Sequence, residues 1–555
     1  MKPSSNIVSW IAAVAGITAA FVLSACGATG DTSSGGNVST GGAQDIGVFR
    51  AILDQGDIPG PNTLDANGFF SEHTIELPPP QCGKDVCVHG LLSIGSSWVD
   101  GSSQTLLEVA LNTTIDATGL ERKPLNLVVV VDQSGSMASD DKMGYVIDGI
   151  QKMIDEMQPG DRMALISYAT NVYPMVGLSD EQDATSLHAA VARLQPSGST
   201  DIYDGLQAGL QMSSDNLDDE HQNRVIFLSD GVPTVGVTDS SQILEMADPY
   251  LADGIGLTTI GVGTDINLDL MRGLAEKGSG NFYFLEDPAA VREVFTEEMS
   301  YFITPIAMDV QIEVRSGAAY KLGSITGAVS WQTEGYGGSI EIPSIFLASR
   351  VDGQPNENGR RGGGSKFFVE FEPNGSYYEG MEHGDVVAEV TLSYLPVGAT
   401  ERVEETIVVR NPYGPGSGIE YYSDITMDKA AAMYNMYRGL LEACRLAEYD
   451  YNQALWTVQQ SLEAAQAWNR PREDADLASD IELAQQFQSN LEDRGAVAYD
   501  PSMEGGGCGP NGDEICTGGI ACSATGNSGE NWLWVLMLAG LVLGLSLRRR
   551  LVHES

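Results

Sequence analysis

One apolar segment that ends in an acid constrains the fold more than any other part of the chain. Residues 125–136 read Leu-Asn-Leu-Val-Val-Val-Val-Asp-Gln-Ser-Gly-Ser. A run without a polar face predicts a strand that is covered on both sides, as in a parallel sheet flanked by helices. Ligand sites in such sheets lie at the carboxyl ends of the strands. Asp132, Ser134 and Ser136 follow there, and their oxygen atoms suit Mg²⁺ and reject soft metals. The segment therefore predicts a buried strand that ends at a metal site.

Two later segments repeat this combination of apolar strand and polar turn. Residues 223–231 form a second apolar run that reaches Asp230, and residues 198–201, Gly-Ser-Thr-Asp, form a hydroxyl-bearing loop that opens a helix. The pattern Asp-x-Ser-x-Ser, then a Thr, then an Asp resembles the von Willebrand factor type A domain with its metal-ion-dependent adhesion site. The resemblance implies three ligands that bind through hydroxyls and two acids that bind directly or through water: Ser134, Ser136 and Thr200, then Asp132 and Asp230.

The resemblance also implies a chemistry for this site. The expected ion is Mg²⁺, or else Mn²⁺ or Ca²⁺, because hard oxygen donors with few charges suit such ions. The family's site leaves one coordination position open, which a carboxylate of a partner protein fills, so ligand binding is expected rather than bond cleavage. The alternative is that Asp-Gln-Ser-Gly-Ser is only a turn or a helix cap, since turns and caps prefer these residues.

Strand and helix signals alternate over residues 123–303, which predicts a doubly wound, mostly parallel α/β sheet with helices on both faces. Apolar residues at helical spacing from Met143 to Met157 mark the first helix, and residues 163–168 follow as a strand. The later predicted elements are helices over 183–195, 201–213, 240–253, 268–277 and 289–302, and strands over 257–262 and 282–285.

The rest of the chain divides into segments that differ in composition and in the spacing of their apolar residues. Residues 27–44 are rich in Gly, Ser and Thr and predict a flexible linker. Residues 45–122 predict a small β-rich module, and alternation with a period of two over residues 304–412 predicts a sandwich-like antiparallel domain. Strong helix formers over residues 420–495 predict two or three packed helices. Residues 496–531 form a linker rich in Cys and Gly.

Both ends of the chain carry targeting signals. Residues 1–26 predict an export signal, and their ending Leu-Ser-Ala-Cys resembles a bacterial lipoprotein cleavage box, which implies a lipidated Cys26. An ordinary signal peptide with a chance cysteine is the alternative. Residues 532–551 form an apolar helix with an arginine cluster, Arg548–Arg550. This helix is either a short membrane anchor or a processing signal, as in the myxobacterial-type sorting tails that it resembles.

Charge and cysteine content exclude some classes of function. Thirty Lys and Arg against 76 Asp and Glu give a net charge of −46, a field that repels phosphate backbones and excludes nucleic-acid binding. The seven cysteines fit an oxidising compartment. Scattered histidines and the lack of a Cys-x-x-Cys pair favour disulfides over zinc. The candidate disulfide cysteines are Cys82 with Cys87 and Cys508 with Cys516.

The whole arrangement resembles exported bacterial YfbK-like proteins with a central von Willebrand factor type A domain. It predicts a non-enzymatic protein of the cell envelope, anchored to the membrane, that binds an acidic side chain of a partner protein through its metal. An envelope scaffold with a purely structural metal is one alternative. A serine hydrolase is the weaker one: Ser139 and Lys142 fit Ser-x-x-Lys and residues 214–216 fit Ser-Asp-Asn, but no Lys-Thr-Gly occurs.

Overall fold

The computed structural model describes residues 36–40, 46–115, 123–179, 183–285, 290–291, 294–295, 305–328, 330–348, 363–374, 384–413 and 420–497, all within one structural unit, residues 1–499. The predicted export signal with Cys26, the apolar helix predicted over 532–551 and the predicted pair Cys508 and Cys516 lie outside these residues. Within the described ranges, no helix combines the length and the apolar character needed to span a bilayer.

The strands and helices are numbered in chain order. The strands are β1 Gly36–Thr40, β2 Val86–Ser96, β3 Ser103–Thr113, β4 Leu125–Asp132, β5 Arg162–Tyr168, β6 Val172–Val176, β7 Gln222–Ser229, β8 Gly256–Val262, β9 Ser279–Leu285, β10 Pro305–Ser316, β11 Tyr320–Thr326, β12 Gln332–Glu334, β13 Gly337–Leu347, β14 Lys366–Pro373, β15 Val386–Pro396, β16 Val403–Arg410 and β17 Tyr421–Tyr422. The helices are α1 Gly47–Asp54, α2 Ala66–Ser71, α3 Lys142–Asp155, α4 Ala184–Val191, α5 Ile202–Asp215, α6 Ser240–Ala252, α7 Leu268–Lys277, α8 Ile425–Ala447, α9 Tyr451–Asn469 and α10 Ala475–Asp493.

Six of the strands form one sheet in the order β6-β5-β4-β7-β8-β9. The neighbours are parallel except for β6, which pairs antiparallel with β5 at the edge. Every residue of β4 is buried, and its alternate side chains enter different cores. Val129 and Val131 pack with residues of α3 and α4, whereas Val128 and Val130 pack with residues of α5, α6 and α7. The predicted doubly wound α/β fold is therefore confirmed.

The predicted helices and strands of this domain lie close to the observed ones. Helix α7 has the predicted bounds, and β8 begins one residue earlier than predicted. Strand β6 is missing from the predicted elements because it is short, at most half-buried and carries Pro174. Of the helix predicted over 289–302, the structure describes residues 290–291 and 294–295 alone.

The antiparallel strands form a second assembly in which β1 joins two sheets, since it pairs with β3 on one side and with β13 on the other. The main path runs β11-β14-β3-β1-β13-β10-β15-β16, with β2 beside β3, β17 beside β2 and β12 beside β13. Val38 of β1, Val109 of β3 and Val390 of β15 share one apolar core. An antiparallel domain accompanies the α/β domain, as predicted.

Two of the predicted domain boundaries differ from the structure. Residues 36–40 fall in the predicted linker 27–44 but form β1, because Val38 is 1% exposed and fills the core between the two sheets. The described residues of the predicted module 45–122 do not form a separate sheet, since β2 and β3 pair within the same assembly as the strands after residue 304. The α/β domain is thus inserted into the antiparallel domain. Local alternation predicts a strand and leaves its partner undetermined.

Helices α8, α9 and α10 pack together in the predicted helical segment. Their core also includes Phe49 of α1, Phe69 and Phe70 of α2 and Leu106 of β3. The rings of Phe49 and Phe487 meet edge to face with centroids 6.3 Å apart. The C-terminal helices therefore cover the N-terminal ones and one face of β3.

Candidate metal centre

The predicted site lies where β4 and β7 end. Asp132 is the last residue of β4, and Asp230 directly follows β7. The two strands are neighbours and run parallel, so their carboxyl ends meet at the same edge of the sheet. Both aspartates are 0% exposed. Two carboxylates are thereby buried near each other, an arrangement that favours a cation.

Ser134 and Ser136 lie on the turn that follows β4. The Ser134 amide donates a hydrogen bond to Asp132 Oδ1 at 2.7 Å, which fixes the start of the turn. Ser136 Oγ donates to Asp230 Oδ1 at 2.8 Å and lies 2.9 Å from Ser134 Oγ. Ser134 Oγ is itself 3.5 Å from the same Asp230 oxygen. Two hydroxyls and one carboxylate oxygen therefore converge as hard donors for a divalent ion.

Backbone contacts bring Thr200 to the same edge of the sheet. The Gly135 amide donates to the Gly198 carbonyl at 3.0 Å, so the loop before α5 lies against the serine turn. Thr200 is 4% exposed. Its amide donates to Thr234 Oγ1 at 2.9 Å, and its carbonyl accepts from the Thr234 amide at 2.9 Å. The structure thus places all five predicted ligands at one end of the sheet.

The second oxygen of Asp132 is held from two sides. Ser229 Oγ donates to Asp132 Oδ2 at 2.9 Å, and the Tyr168 hydroxyl donates to it at 3.3 Å. Burial raises the pKa of Asp132 above its ordinary value, the hydrogen bonds from Ser134 and Ser229 oppose this rise, and the charge of Asp230 adds to it. A cation beside Asp132 would favour the ionised form of this carboxylate.

Tyr168 supports the site although the motif does not contain it. It is the last residue of β5, it is fully buried, and its ring stacks on Phe227 with centroids 5.2 Å apart. Burial and the charge of Asp132 raise the pKa of the Tyr168 hydroxyl well above 10, so it stays protonated and can donate. Tyr168 and Ser229 both end strands that adjoin β4, and this position was the available signal for their role.

Lys142 is a third residue at the site that the motif does not predict, after Tyr168 and Ser229. It begins α3 and is 7% exposed. Its ammonium nitrogen lies 3.0 Å from Asp230 Oδ2, so one buried carboxylate has a cation supplied by the chain itself. The two residues are 88 positions apart, and no local pattern reveals their contact.

The residues of the serine-hydrolase alternative do not come together. Lys142 pairs with Asp230, and Ser139 Oγ donates to the Ser136 carbonyl at 3.0 Å. Residues 214–216 lie at the end of α5, where the Asn216 carbonyl accepts from Asn126 near the start of β4. At ~3.3 Å per residue, β4 separates this edge from the metal edge by about 20 Å. A nucleophile and its general base must lie within hydrogen-bond distance of each other, so residues 214–216 cannot complete a catalytic site with Ser139 and Lys142.

None of the three cysteines that the structure describes contributes a ligand to this site. Cys82 and Cys87 form a disulfide, beside which Glu405 lies. Sulfur atoms bonded to each other are not thiolates, so this group does not bind a metal in the oxidised protein. Cys444 is a buried free thiol on α8, and burial raises its pKa.

The donor set fits a hard divalent ion. The ligand candidates offer two carboxylates and three hydroxyls, all oxygen, which suit Mg²⁺, Mn²⁺ or Ca²⁺ rather than a soft metal. Asp132 and Asp230 are buried whereas Ser136 is exposed, so the site opens to solvent on the side of the serine turn. These residues would hold the ion and leave an approach for an external ligand.

Comparison with known proteins identifies the α/β domain. Residues 126–297 match the von Willebrand factor type A domain. The chain is similar to the uncharacterized protein YfbK of Escherichia coli (strain K12), with 27% identity over 218 residues, 39% of this chain and 38% of that protein. It is also similar to inter-alpha-trypsin inhibitor heavy chain H2 of Sus scrofa, with 26% identity over 232 residues, 40% of this chain and 24% of that protein. The chain thus spans less than two fifths of the length of either relative.

Among solved structures, a von Willebrand factor type A protein from Catenulispora acidiphila covers 73% of this chain and 96% of its own, with 13% identity and a TM-score of 0.46. The family match covers β4, which ends in Asp132, and β7, which Asp230 directly follows. It also covers the helices on both faces of their sheet. Residues 126–297 of this chain therefore match the von Willebrand factor type A domain in sequence.

Proposed function

We propose that this protein is a non-enzymatic binding protein of the cell envelope. It holds one divalent cation, Mg²⁺ or Mn²⁺, between Asp132, Ser134, Ser136, Thr200 and Asp230, and it captures a partner protein through an acidic side chain of that partner. The observation that carries this proposal is the convergence of buried carboxylates and serine hydroxyls at the carboxyl edge of the sheet. The bound ion supplies a coordination position for an external carboxylate.

Some residues of the site hold the ion in place, and others leave it accessible to a partner. Tyr168 and Ser229 donate hydrogen bonds to Oδ2 of Asp132, and these bonds fix the orientation of the carboxylate and hence of Oδ1. Ser136 lies on the exposed side, where a partner can approach. Val232, two positions after Asp230, is 49% exposed and offers an apolar contact beside the site.

The scaffold with a purely structural metal is the second candidate. Such a metal would be required for the fold. Lys142 already gives Asp230 a cationic partner, so the sheet edge is electrostatically satisfied in part without metal. This ion pair favours a functional ion over a structural one.

Metal titration tests the proposed site. Calorimetry of the purified protein with Mg²⁺ and Mn²⁺ should give one site per chain, and the Asp132→Ala, Asp230→Ala double variant should give none. Absence of binding by the wild-type protein at millimolar metal would reject the proposal. A thermal melt of both proteins in chelator shows whether the double variant is folded.

The envelope location rests on the two ends of the sequence. The predicted export signal with its Leu-Ser-Ala-Cys box supports lipidation at Cys26, and the apolar sequence near the C-terminus supports a membrane contact or a processing step. Growth with a fatty-acid analogue should label the protein, and Cys26→Ser should remove the label and change the electrophoretic mobility. Unchanged labelling of Cys26→Ser would reject the lipid anchor.

A further inference from the structure

Asp230 divides its two oxygens between different partners. Oδ1 accepts from Ser136 Oγ at 2.8 Å on the side of the proposed ion. Oδ2 lies 3.0 Å from the Lys142 ammonium on the other side. Both members of the ion pair are buried, with side chains 9% and 0% exposed for Lys142 and Asp230. The pair is therefore poorly screened by solvent and acts at close range on anything bound to Asp230.

The backbone around Lys142 is shaped to hold this side chain. Gly263, in the loop after β8, has φ +83°, and a Cβ placed there would lie 2.5 Å from Lys142 Cε and 2.8 Å from its Nζ. A side chain at this position would displace the Lys142 ammonium, and the positive φ also favours glycine there. On the other side, Asp140 and Asp141 have φ of 52° and 57°, so two consecutive non-glycine residues adopt the left-handed conformation directly before Lys142. Asp is among the residues that tolerate this conformation, and the turn ends where Lys142 begins α3.

The ammonium changes the charge that a metal ion meets. Asp132 and Asp230 together carry two negative charges when ionised, and Lys142 reduces the local sum to one. A divalent ion bound to these carboxylates is repelled by the ammonium and shares Asp230 with it. A unit charge a few ångströms from a bound ion changes its affinity by about tenfold or more, even at an effective dielectric constant of about 20.

We propose that Lys142 is a built-in counter-ion of the metal site, one that keeps Asp230 in position without metal and weakens metal binding. The inference rests on the proposed function, because it requires a metal between Asp132 and Asp230. The affinity of the site for the ion is thereby lower, and the edge of the sheet stays folded when the ion dissociates. Occupancy, and with it partner capture, then follows the external concentration of the ion instead of being permanent.

The test compares Lys142→Met with a matched control on the same helix. Methionine keeps the length of the stem and removes the charge. Lys152, also on α3, pairs with Asp148 at 2.6 Å on the exposed surface, so Lys152→Met removes the same charge without a contact to the site. The purified full-length protein and both variants are titrated with Mn²⁺ and with Mg²⁺ by calorimetry, and each is melted in chelator.

Lys142→Met is expected to bind Mn²⁺ about tenfold or more tightly than the wild-type protein and to melt at a lower temperature in chelator. Lys152→Met should match the wild-type protein in both measurements. Equal affinities of the two variants would overturn the inference and leave the proposed function standing. Absence of metal binding by all three proteins would overturn both. If Lys142→Met does not fold, Lys142→Gln replaces it with the same expected gain, because glutamine keeps an N–H donor for Asp230 Oδ2.

Discussion

Replacing Glu108 with glutamine should stabilise the protein at alkaline pH and leave its stability unchanged at acidic pH. Glu108 lies on β3 and is 0% exposed, and within the described part of the chain its two carboxylate oxygens have no hydrogen-bond partner. Burial raises the pKa of Glu108 from 4.5 to about 7, opposed by the positive charge of Lys366 and assisted by the negative charge of Asp424. The ionised carboxylate is therefore unfavourable in the folded protein.

The sign and the magnitude of the effect follow from the two pKa values. The folded protein binds the proton of Glu108 more tightly than the unfolded chain does. Its stability therefore falls as the pH rises from 4.5 to about 7, and the loss is complete above that interval. One pH unit corresponds to ~1.4 kcal/mol, so the ionised Glu108 lowers the free energy of unfolding by about 3 kcal/mol at pH 8. Glutamine has the same shape and remains neutral, so Glu108→Gln should restore about this amount at pH 8 and almost nothing at pH 4.

Urea unfolding at both pH values measures this effect. Glu341 on β13 is an exposed glutamate of the same assembly, and Glu341→Gln serves as the control with an expected change within about 0.5 kcal/mol at either pH. A Glu108→Gln variant that equals the wild-type protein at pH 8, or that gains equally at pH 4 and pH 8, would refute the reasoning.

Three further predictions concern the metal site and the disulfide. Asp132→Asn should show no rise in melting temperature with Mg²⁺. The wild-type protein should gain about 2.7 kcal/mol in free energy of unfolding at a Mg²⁺ concentration a hundredfold above Kd. Asp148→Asn, a control on the exposed side of α3, should keep that gain. Tyr168→Phe retains the ring packing but loses the hydroxyl that donates to Asp132, so calorimetry should give about tenfold weaker Mg²⁺ binding; an unchanged Kd would show that this hydroxyl does not position the ligand. Cys82→Ser with Cys87→Ser opens a ring between residues five positions apart and should lower the free energy of unfolding by about 2 kcal/mol in denaturant, with metal affinity unchanged.

The position of the candidate metal site could be predicted because most of its determinants are local. Each acid follows an apolar run, and such a run in a parallel sheet fixes both the burial of the strand and the edge at which it ends. Asp132 and Asp230 therefore meet once β4 and β7 are neighbours. Thr200 follows for the same reason, since its loop opens a helix at that edge.

The supporting residues could not be predicted because their roles depend on distant partners. Lys142 has no feature in the sequence that points to Asp230, 88 residues later, and Tyr168 differs from an ordinary core residue only by its position at the end of a strand. Strand β1 shows this dependence on distant partners more clearly. Its glycine-rich sequence is typical of a linker, and only pairing with β13, where Val38 faces Leu347, gives it a place in the fold. The strand is held by pairing with β3 and β13 on its two sides and by the burial of Val38.

Partner capture by the Asp132→Ala, Asp230→Ala double variant tests the central claim most directly. Immobilised wild-type and variant proteins are exposed to a detergent extract of the cell envelope in Mg²⁺, in chelator, and in Mg²⁺ with an excess of a glutamate-bearing peptide. Thermal melts establish that both proteins are folded. The account predicts that the wild-type protein retains a partner in Mg²⁺, that chelator and peptide each release it, and that the folded double variant never binds it. Retention of the same partner by the folded double variant, or by the wild-type protein in chelator, would contradict metal-dependent binding.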